Sequence, residues 1–200
     1  MTHNLTQPDP HIPRELIGAT RAVTPEQFEQ LCRKYRDLRL ELTSTGELIV
    51  MPPAGNTTSM RNADLTYQLT AWAKRNSTGV CFDSSTIFAL PNNARRSPDG
   101  AWLTREKWDS LTPREKDGFA HICPDFVVEL RSRTDRLPPL LRKMEEYIAN
   151  GAALGWLIDP QSRRVYVYRP DHEVVILENP ETVSGDPLLP GFELTTTELW

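Results

Sequence analysis

One short apolar run constrains the fold of this chain more than any other feature. In residues 125–130, three consecutive apolar side chains are followed by a single acid, Glu129, and then a leucine. An almost continuous apolar strand is typical of the centre of a sheet that is covered on both faces. A carboxylate is costly there unless it is paired or used chemically. The run therefore predicts a central strand and marks Glu129 as a candidate functional residue.

Helical and strand-like patterns alternate along the rest of the chain. Residues 24–37 and 58–76 have helical spacing, residues 38–51 form a predicted hairpin, and residues 140–150 form a helix that ends at Gly151. After residue 79 the pattern predicts further short strands, a basic turn that ends at Arg95 and Arg96, and a surface loop with one helical turn at residues 104–122. It therefore predicts an α/β or α+β domain. A chain of 200 residues fits one core, which we place at residues 20–200. Residues 1–19 are polar and contain three prolines, which is typical of a flexible leader.

The composition excludes several classes of protein. No stretch approaches the roughly 20 apolar residues of a membrane span, and the first residues lack the pattern of a signal peptide, so we expect a cytoplasmic protein. The three cysteines match no zinc-binding spacing and should be reduced thiols.

The charge distribution leaves anion binding open. The net charge of −4 argues against a nucleic-acid partner, but the last 30 residues carry seven acids and no lysine or arginine. The remainder of the chain is therefore weakly basic. Its arginines and lysines occur in clusters, which most often are solvated surface but can also bind phosphate.

Two further residues can join Glu129 in a catalytic site. Asp125 lies about 13 Å along the same strand, too far to share a metal ion, so we expect it to have a structural or supporting role. Asp99 begins the strand that precedes this segment, and neighbouring strands are only about 4.8 Å apart. Lys143 follows on the next helix, in a stripe that should pack on the sheet. Two acids and a lysine around Mg²⁺ suit phosphodiester hydrolysis, because the metal activates water and the ammonium stabilises phosphate charge.

Several motifs in this order resemble the Uma-two family of endonucleases in the PD-(D/E)XK restriction-endonuclease-like superfamily. They are Ser97-Pro98-Asp99-Gly100-Ala101-Trp102, the segment 124–132, and the segments 143–147, 155–160 and 165–170. The resemblance covers about residues 22–200. It implies a restriction-endonuclease-like fold with a mixed central β-sheet flanked by helices, an endonuclease that depends on Mg²⁺ or Mn²⁺, DNA as substrate, and a homodimer.

Position by position, the resemblance makes Asp99 the aspartate of the PD pair and Glu129 the acid of the E-x-K element. Both would bind the metal. Arg131 occupies the usual lysine position, where it can bind phosphate but cannot act as a base. The resemblance therefore assigns the lysine role to Lys143 on the following helix. Glu41 is similar to an additional acid found near such sites.

Each of these residues also has a structural interpretation. Asp99 could close a turn, Glu129 could be held by Arg131 or Arg142, and Lys143 could lie at the surface. At the level of function, the alternative to an endonuclease is a non-catalytic nucleic-acid or protein interaction module that keeps the fold. The acidic net charge and Arg131 motivate this alternative.

Overall fold

A computed structural model describes residues 22–51 and 54–200 of the chain. Its helices are α1 (Pro25–Lys34), α2 (Asn56–Asn76), α3 (Arg105–Ser110), α4 (Pro113–Asp117) and α5 (Leu137–Ala149). Its strands are β1 (Arg39–Leu42), β2 (Leu48–Met51), β3 (Gly79–Asp83), β4 (Phe88–Ala89), β5 (Arg95–Arg96), β6 (Gly100–Thr104), β7 (Phe126–Leu130), β8 (Leu154–Asp159), β9 (Arg164–Tyr168), β10 (Val175–Glu178), β11 (Thr182–Ser184) and β12 (Glu193–Thr195).

A six-stranded mixed sheet forms the centre of the fold, with strand order β10-β9-β8-β7-β6-β3. Strands β7 and β8 are parallel, and the other neighbouring pairs are antiparallel. The parallel pair is joined through α5, as a crossover between parallel strands requires. The predicted α/β class with a mixed central sheet is confirmed.

The central strand β7 is buried along its whole length, as its apolar sequence predicted. Phe126 and Val128 pack with Leu65 of α2 on one face of the sheet. Val127 points to the opposite face and packs with Met144 of α5. The two helices therefore cover opposite faces of the sheet, and side chains from β7 alternate between them.

A smaller sheet, with strand order β2-β1-β5-β4, contains the predicted hairpin of β1 and β2. Strand β5 corrects the sequence-based interpretation, which placed Arg95 and Arg96 in a solvated basic turn. Both arginines are buried, because β5 pairs with β1 and β4. Arg96 is held there by carboxylates from two other elements, a long-range pairing that the local sequence does not reveal.

Other boundaries differ from the predictions in smaller ways. Residues 104–122, predicted as a surface loop with one helical turn, contain the two short helices α3 and α4. Helix α5 begins earlier than predicted, since prolines are accommodated in its first turn. The acidic C-terminal segment contributes the edge strand β10 to the central sheet and then forms the antiparallel pair β11–β12. The predicted leader, residues 1–19, lies outside the described residues, and the single-domain boundary stays a prediction.

The cysteines and the helices agree with two further expectations. Cys32, Cys81 and Cys123 are free thiols, and burial raises the pKa of each. Within residues 22–51 and 54–200, no helix has the length and apolar content that crossing a membrane requires.

Candidate active site

The antiparallel pairing of β6 with β7 brings Asp99 beside the end of the central strand. Gly100 is paired with Val128, so the residue before β6 reaches the backbone of Leu130. One carboxylate oxygen of Asp99, Oδ2, accepts a hydrogen bond of 2.9 Å from the Leu130 amide. The other oxygen, Oδ1, accepts one of 3.0 Å from Nδ2 of Asn62 on α2.

Lys143 of α5 meets Glu129 on the face of β7 that α5 covers. The Lys143 Nζ atom lies 2.7 Å from Glu129 Oε1, and the same oxygen accepts a hydrogen bond of 3.0 Å from the Tyr147 hydroxyl. Tyr147 is one helical turn after Lys143, so both donors project from one side of α5. Among the described residues, none donates a hydrogen bond to the second oxygen, Oε2.

Glu41 of β1 joins this pair from the smaller sheet. Its Oε1 atom lies 2.7 Å from Lys143 Nζ and accepts a hydrogen bond of 2.9 Å from the Ser97 amide. Its Oε2 atom lies 3.1 Å from Nη1 of Arg96. The Lys143 ammonium is therefore shared by two buried carboxylates, Glu41 and Glu129.

The two carboxylates that share Lys143 have opposite shifts of pKa. Burial raises the pKa of Glu129, and the negative charges of Asp99 and Glu41 raise it further. The positive charge of Lys143 lowers this pKa by less than the other effects raise it, so the pKa of Glu129 is about 7. Burial would also raise the pKa of Glu41, but Lys143 and Arg96 together bring it below its usual value. Glu41 is thus the permanent anion of the pair, and Glu129 titrates near neutral pH.

Burial and neighbouring charges also shift the pKa values of Asp99 and Lys143. Burial raises the pKa of Asp99 above its usual value, although the Leu130 amide and Lys143 act in the opposite direction. Burial would lower the pKa of Lys143, but Glu129 and Glu41 raise it above its usual value. Lys143 therefore keeps its proton at neutral pH and can stabilise negative charge, rather than act as a base.

Arg131 is in a different position from the one that its place in the motif suggested. Its Nη1 atom lies 2.8 Å from Asp159, and its Nε donates to the carbonyl of Asp135. It lines the same cleft as the acids, but these contacts hold its guanidinium away from Glu129. The alternative in which Arg131 or Arg142 neutralises Glu129 is wrong, because Lys143 does so.

Asp125 lies at the opposite end of β7, as its spacing from Glu129 required. Its carboxylate accepts a hydrogen bond of 2.9 Å from the Thr104 amide and lies 2.6 Å from Lys107 Nζ. It therefore holds α3 against the sheet. The structural role that we expected for Asp125 agrees with these contacts.

The acids open onto a cleft of about 1400 Å³. Besides the residues already described, it is lined by arginines from several elements: Arg39, Arg61, Arg133 and Arg142. The Nε atom of Arg61 is buried there without a hydrogen-bond partner in the described part of the chain. The cleft thus combines a buried acidic floor with basic walls, although the chain as a whole is acidic.

Sequence reasoning missed three residues of the site. Arg96 precedes the Ser97-Pro98-Asp99 motif directly, and this proximity could have indicated a role. Tyr147 lies four residues after Lys143 in the helical stripe, so its spacing was a usable signal. Asn62 has no comparable signal, since its partner Asp99 is 37 residues away along the chain.

The groups that could bind a metal ion at this site are the oxygens of two carboxylates, Asp99 and Glu129. Oxygen ligands suit a hard cation such as Mg²⁺. In residues 22–51 and 54–200 no group of three or more histidine, cysteine, aspartate or glutamate side chains is arranged to hold a metal ion. Mg²⁺ needs fewer protein ligands, because it commonly keeps several waters and takes one or two carboxylates plus substrate phosphate.

Comparison with known proteins agrees with the fold. A crystal structure of a "putative nuclease belonging to DUF820" from Anabaena variabilis is similar, with a TM-score of 0.70 and 21% sequence identity over 88% of this chain and 97% of the other. This likeness supports the predicted restriction-endonuclease-like fold. None of the curated proteins matches the chain. The model of the Uma2 family, described as "Putative restriction endonuclease", matches residues 25–197, so the chain belongs to the Uma2 family, as the motifs predicted.

Proposed function

We propose that this chain is a Mg²⁺-dependent endonuclease that hydrolyses DNA phosphodiester bonds at a PD-(D/E)XK-type site. The family description supports a nuclease role in general. The main support for this particular site is the ion pair between Lys143 Nζ and Glu129 Oε1, 2.7 Å apart. Asp99 lies beside this pair, where it accepts a hydrogen bond from the Leu130 amide at the end of β7. Asp99, Glu129 and Lys143, which span 44 positions of the sequence, line one cleft.

Asp99 and Glu129 are the residues that would hold Mg²⁺, or Mn²⁺ in its place. Each is a carboxylate with room for a further bond: Asp99 accepts one hydrogen bond on each oxygen, and Glu129 has a free Oε2. Their mutual repulsion, which contributes to the raised pKa of Glu129, is the kind of interaction that a divalent cation relieves. When bound, the cation would supply Lewis acidity and an activated water.

The lysine of this site acts as a cation. Because the pKa of Lys143 is raised, its ammonium remains charged and can orient the scissile phosphate and stabilise the charge that develops on it. Glu41 fixes the Lys143 side chain from the other side and is in turn held by Arg96. Glu41 is therefore a positioning residue, and the fixed geometry reduces the reorganisation that catalysis would otherwise need.

The basic walls of the cleft support DNA as the substrate. Arg61 and Arg142 lie on opposite sides of the acids, on α2 and α5, where they can contact phosphates next to the scissile one. The position of Arg131, bonded to Asp159, makes it a less suitable phosphate ligand.

One observation favours the alternative of a non-catalytic binding module. Lys143 is bonded to two carboxylates at once, and such an arrangement also stabilises the junction of the two sheets without any chemistry. The cleft and its arginines would then bind nucleic acid or protein without turnover.

Cleavage of supercoiled plasmid and of duplex and single-stranded oligonucleotides with Mg²⁺, against EDTA, tests the proposal. Asp99→Asn should abolish divalent-dependent cleavage, because it removes one metal ligand. Asp125→Asn is the matched control, since it changes the carboxylate at the other end of β7 and should leave cleavage intact. Equal activity in all three proteins would reject the site, and wild type without cleavage of any substrate would favour the binding module.

The remaining expectations from the sequence stay predictions. A homodimer and a cytoplasmic location are both consistent with a nuclease of this kind. Neither is needed for the chemistry described above.

A further inference from the structure

Asn62 is placed in the cleft in a way that packing does not explain. It lies on α2 among residues whose neighbours Leu65 and Leu69 pack into the core, but its own amide faces Asp99. Its Nδ2 atom donates the 3.0 Å hydrogen bond to Asp99 Oδ1. Its Oδ1 atom is buried and has no hydrogen-bond partner among residues 22–51 and 54–200.

The orientation of the Asn62 amide is fixed by charge. If the amide were flipped, its oxygen would face the Asp99 carboxylate and the interaction would be repulsive. With Nδ2 towards Asp99, the oxygen is left buried and unpaired, which is unfavourable for folding. The chain thus gives up a hydrogen bond at Oδ1 to retain the one to Asp99.

Asp99 depends on few contacts for its orientation. It stands just before β6, and the described residues supply one hydrogen bond to each of its oxygens. The Leu130 amide is part of the central strand and fixes Oδ2, so Asn62 is the donor that sets the rotation of the carboxylate about its side chain. Such partners of a metal ligand commonly change metal affinity by 10-fold to 100-fold when they are removed.

We propose that Asn62 is a positioning residue for metal binding: it holds the Asp99 carboxylate in the orientation for a divalent cation. The inference rests on the proposed function, since it takes Asp99 as a ligand. It differs from a purely structural role, in which Asn62 would only attach α2 to the sheet.

Binding of Mn²⁺, measured by electron paramagnetic resonance without DNA, tests this role apart from activity. Asn62→Ala removes the Nδ2 donor and most of the side-chain volume. Asn62→Leu removes the same donor without a loss of volume. Asn76→Ala is the control, since it removes an amide from the same helix outside the cleft. Thermal unfolding of every variant reports stability, and Asp99→Asn shows whether the Mn²⁺ site includes Asp99.

We expect both Asn62 variants to bind Mn²⁺ about 10-fold or more weakly, and Asn76→Ala to bind it like wild type. If Asp99→Asn loses Mn²⁺ binding while both Asn62 variants keep wild-type affinity, the positioning role is wrong and the proposed function stands. If Asp99→Asn also binds Mn²⁺ like wild type, the metal site itself is wrong, and the role of Asn62 is rejected with it.

Discussion

At the scale of single residues, the site is a set of buried charges that neutralise one another. Lys143 lies between Glu41 and Glu129, and Arg96 completes the neutralisation of Glu41. A buried ion pair gains little over an apolar pair, but removal of one partner leaves a charge that water cannot reach. The arrangement therefore has consequences for stability that can be measured without any substrate.

Glu41→Gln should destabilise the protein by about 3–5 kcal/mol, because it removes the anion that Lys143 and Arg96 share. Urea denaturation at pH 7 measures the change in the free energy of unfolding. Glu178→Gln is the control, since Glu178 is exposed and its pair with Arg164 should contribute little. A Glu41→Gln protein as stable as the control variant would show that the cluster is not energetically coupled.

The pH dependence of stability should identify Glu129. Its pKa is raised from 4.5 to about 7 in the folded state, so between these values the unfolded chain loses a proton that the folded chain retains. The free energy of unfolding of the wild type, in EDTA, should therefore fall by up to about 3 kcal/mol as the pH rises from 4.5 to 8. Glu41, whose pKa is lowered, acts in the opposite direction and loses its contribution only as the pH falls below 4.5.

Glu129→Gln cannot ionise, so the difference in stability between this variant and wild type should grow in favour of the variant over the same interval. Denaturation at a series of pH values measures it. If the difference in free energy of unfolding between the two proteins stays constant from pH 4.5 to 8, Glu129 is ionised throughout this interval. The effect of Lys143 on the pKa of Glu129 is then larger than the effect of burial.

At the scale of elements, the sequence was most informative where the pattern is local. The apolar run of β7 identified the central strand, and its alternation placed Glu129 on the face that α5 covers. The helical spacing of residues 24–37 and of residues 140–150 also predicted real elements. These features depend on neighbours only a few residues apart, so the chain itself contains the signal.

Elements that depend on distant partners were not predicted. Strand β5 consists of two arginines, a composition that indicates surface. It is buried by its pairing with β1 and β4, and Glu41 and Glu146 neutralise Arg96 there. The contact of Asn62 with Asp99 likewise joins α2 to β6 across the fold. For the candidate site, the acids and Lys143 could therefore be identified from the sequence, while the residues that orient them are recognisable only in the fold.

The pairing of β3 with β6, which supports Asp99, depends on a glycine. A Cβ atom at Gly79 would overlap the carbonyl oxygen of Leu103 and the ring of Trp102. Gly79→Ala should therefore destabilise the protein by about 1–3 kcal/mol or more in urea denaturation. Gly100→Ala, at the other end of the same strand pair, meets Leu65 only at 3.7 Å and should be close to neutral. Equal stabilities of the two variants would contradict the close approach at Gly79.

At the scale of the whole molecule, positive and negative side chains are distributed unevenly over the surface. The protein carries a net charge of −4, yet arginines line the cleft, and seven of the acids lie in the last 30 residues. A weakly basic cleft on an acidic protein can attract a polyanion at short range while the rest of the surface repels it. Binding of DNA should then be sensitive to salt.

Arg142→Ala should weaken DNA binding and reduce the salt dependence by about one phosphate contact, which is a change of about 0.9 in the slope of log affinity against log salt. Fluorescence anisotropy with Ca²⁺ in place of Mg²⁺ measures binding without turnover. Arg75→Ala, on the exposed C-terminal end of α2, is the control and should leave the slope unchanged. An unchanged slope for Arg142→Ala would exclude this residue from phosphate binding.

The central claim is that the ammonium of Lys143, beside Glu129, takes part in hydrolysis, and that the ammonium of Lys107, beside Asp125, does not. Lys143 pairs with Glu129 and Lys107 with Asp125, so Lys143→Met and Lys107→Met each remove an ammonium that pairs with an acid at one end of the same strand segment. Single-turnover cleavage of DNA with saturating Mg²⁺, on variants shown to be folded by circular dichroism, compares them. We expect Lys143→Met to lose about 100-fold or more in rate and Lys107→Met to stay near wild type; equal rates for the two variants would contradict the account.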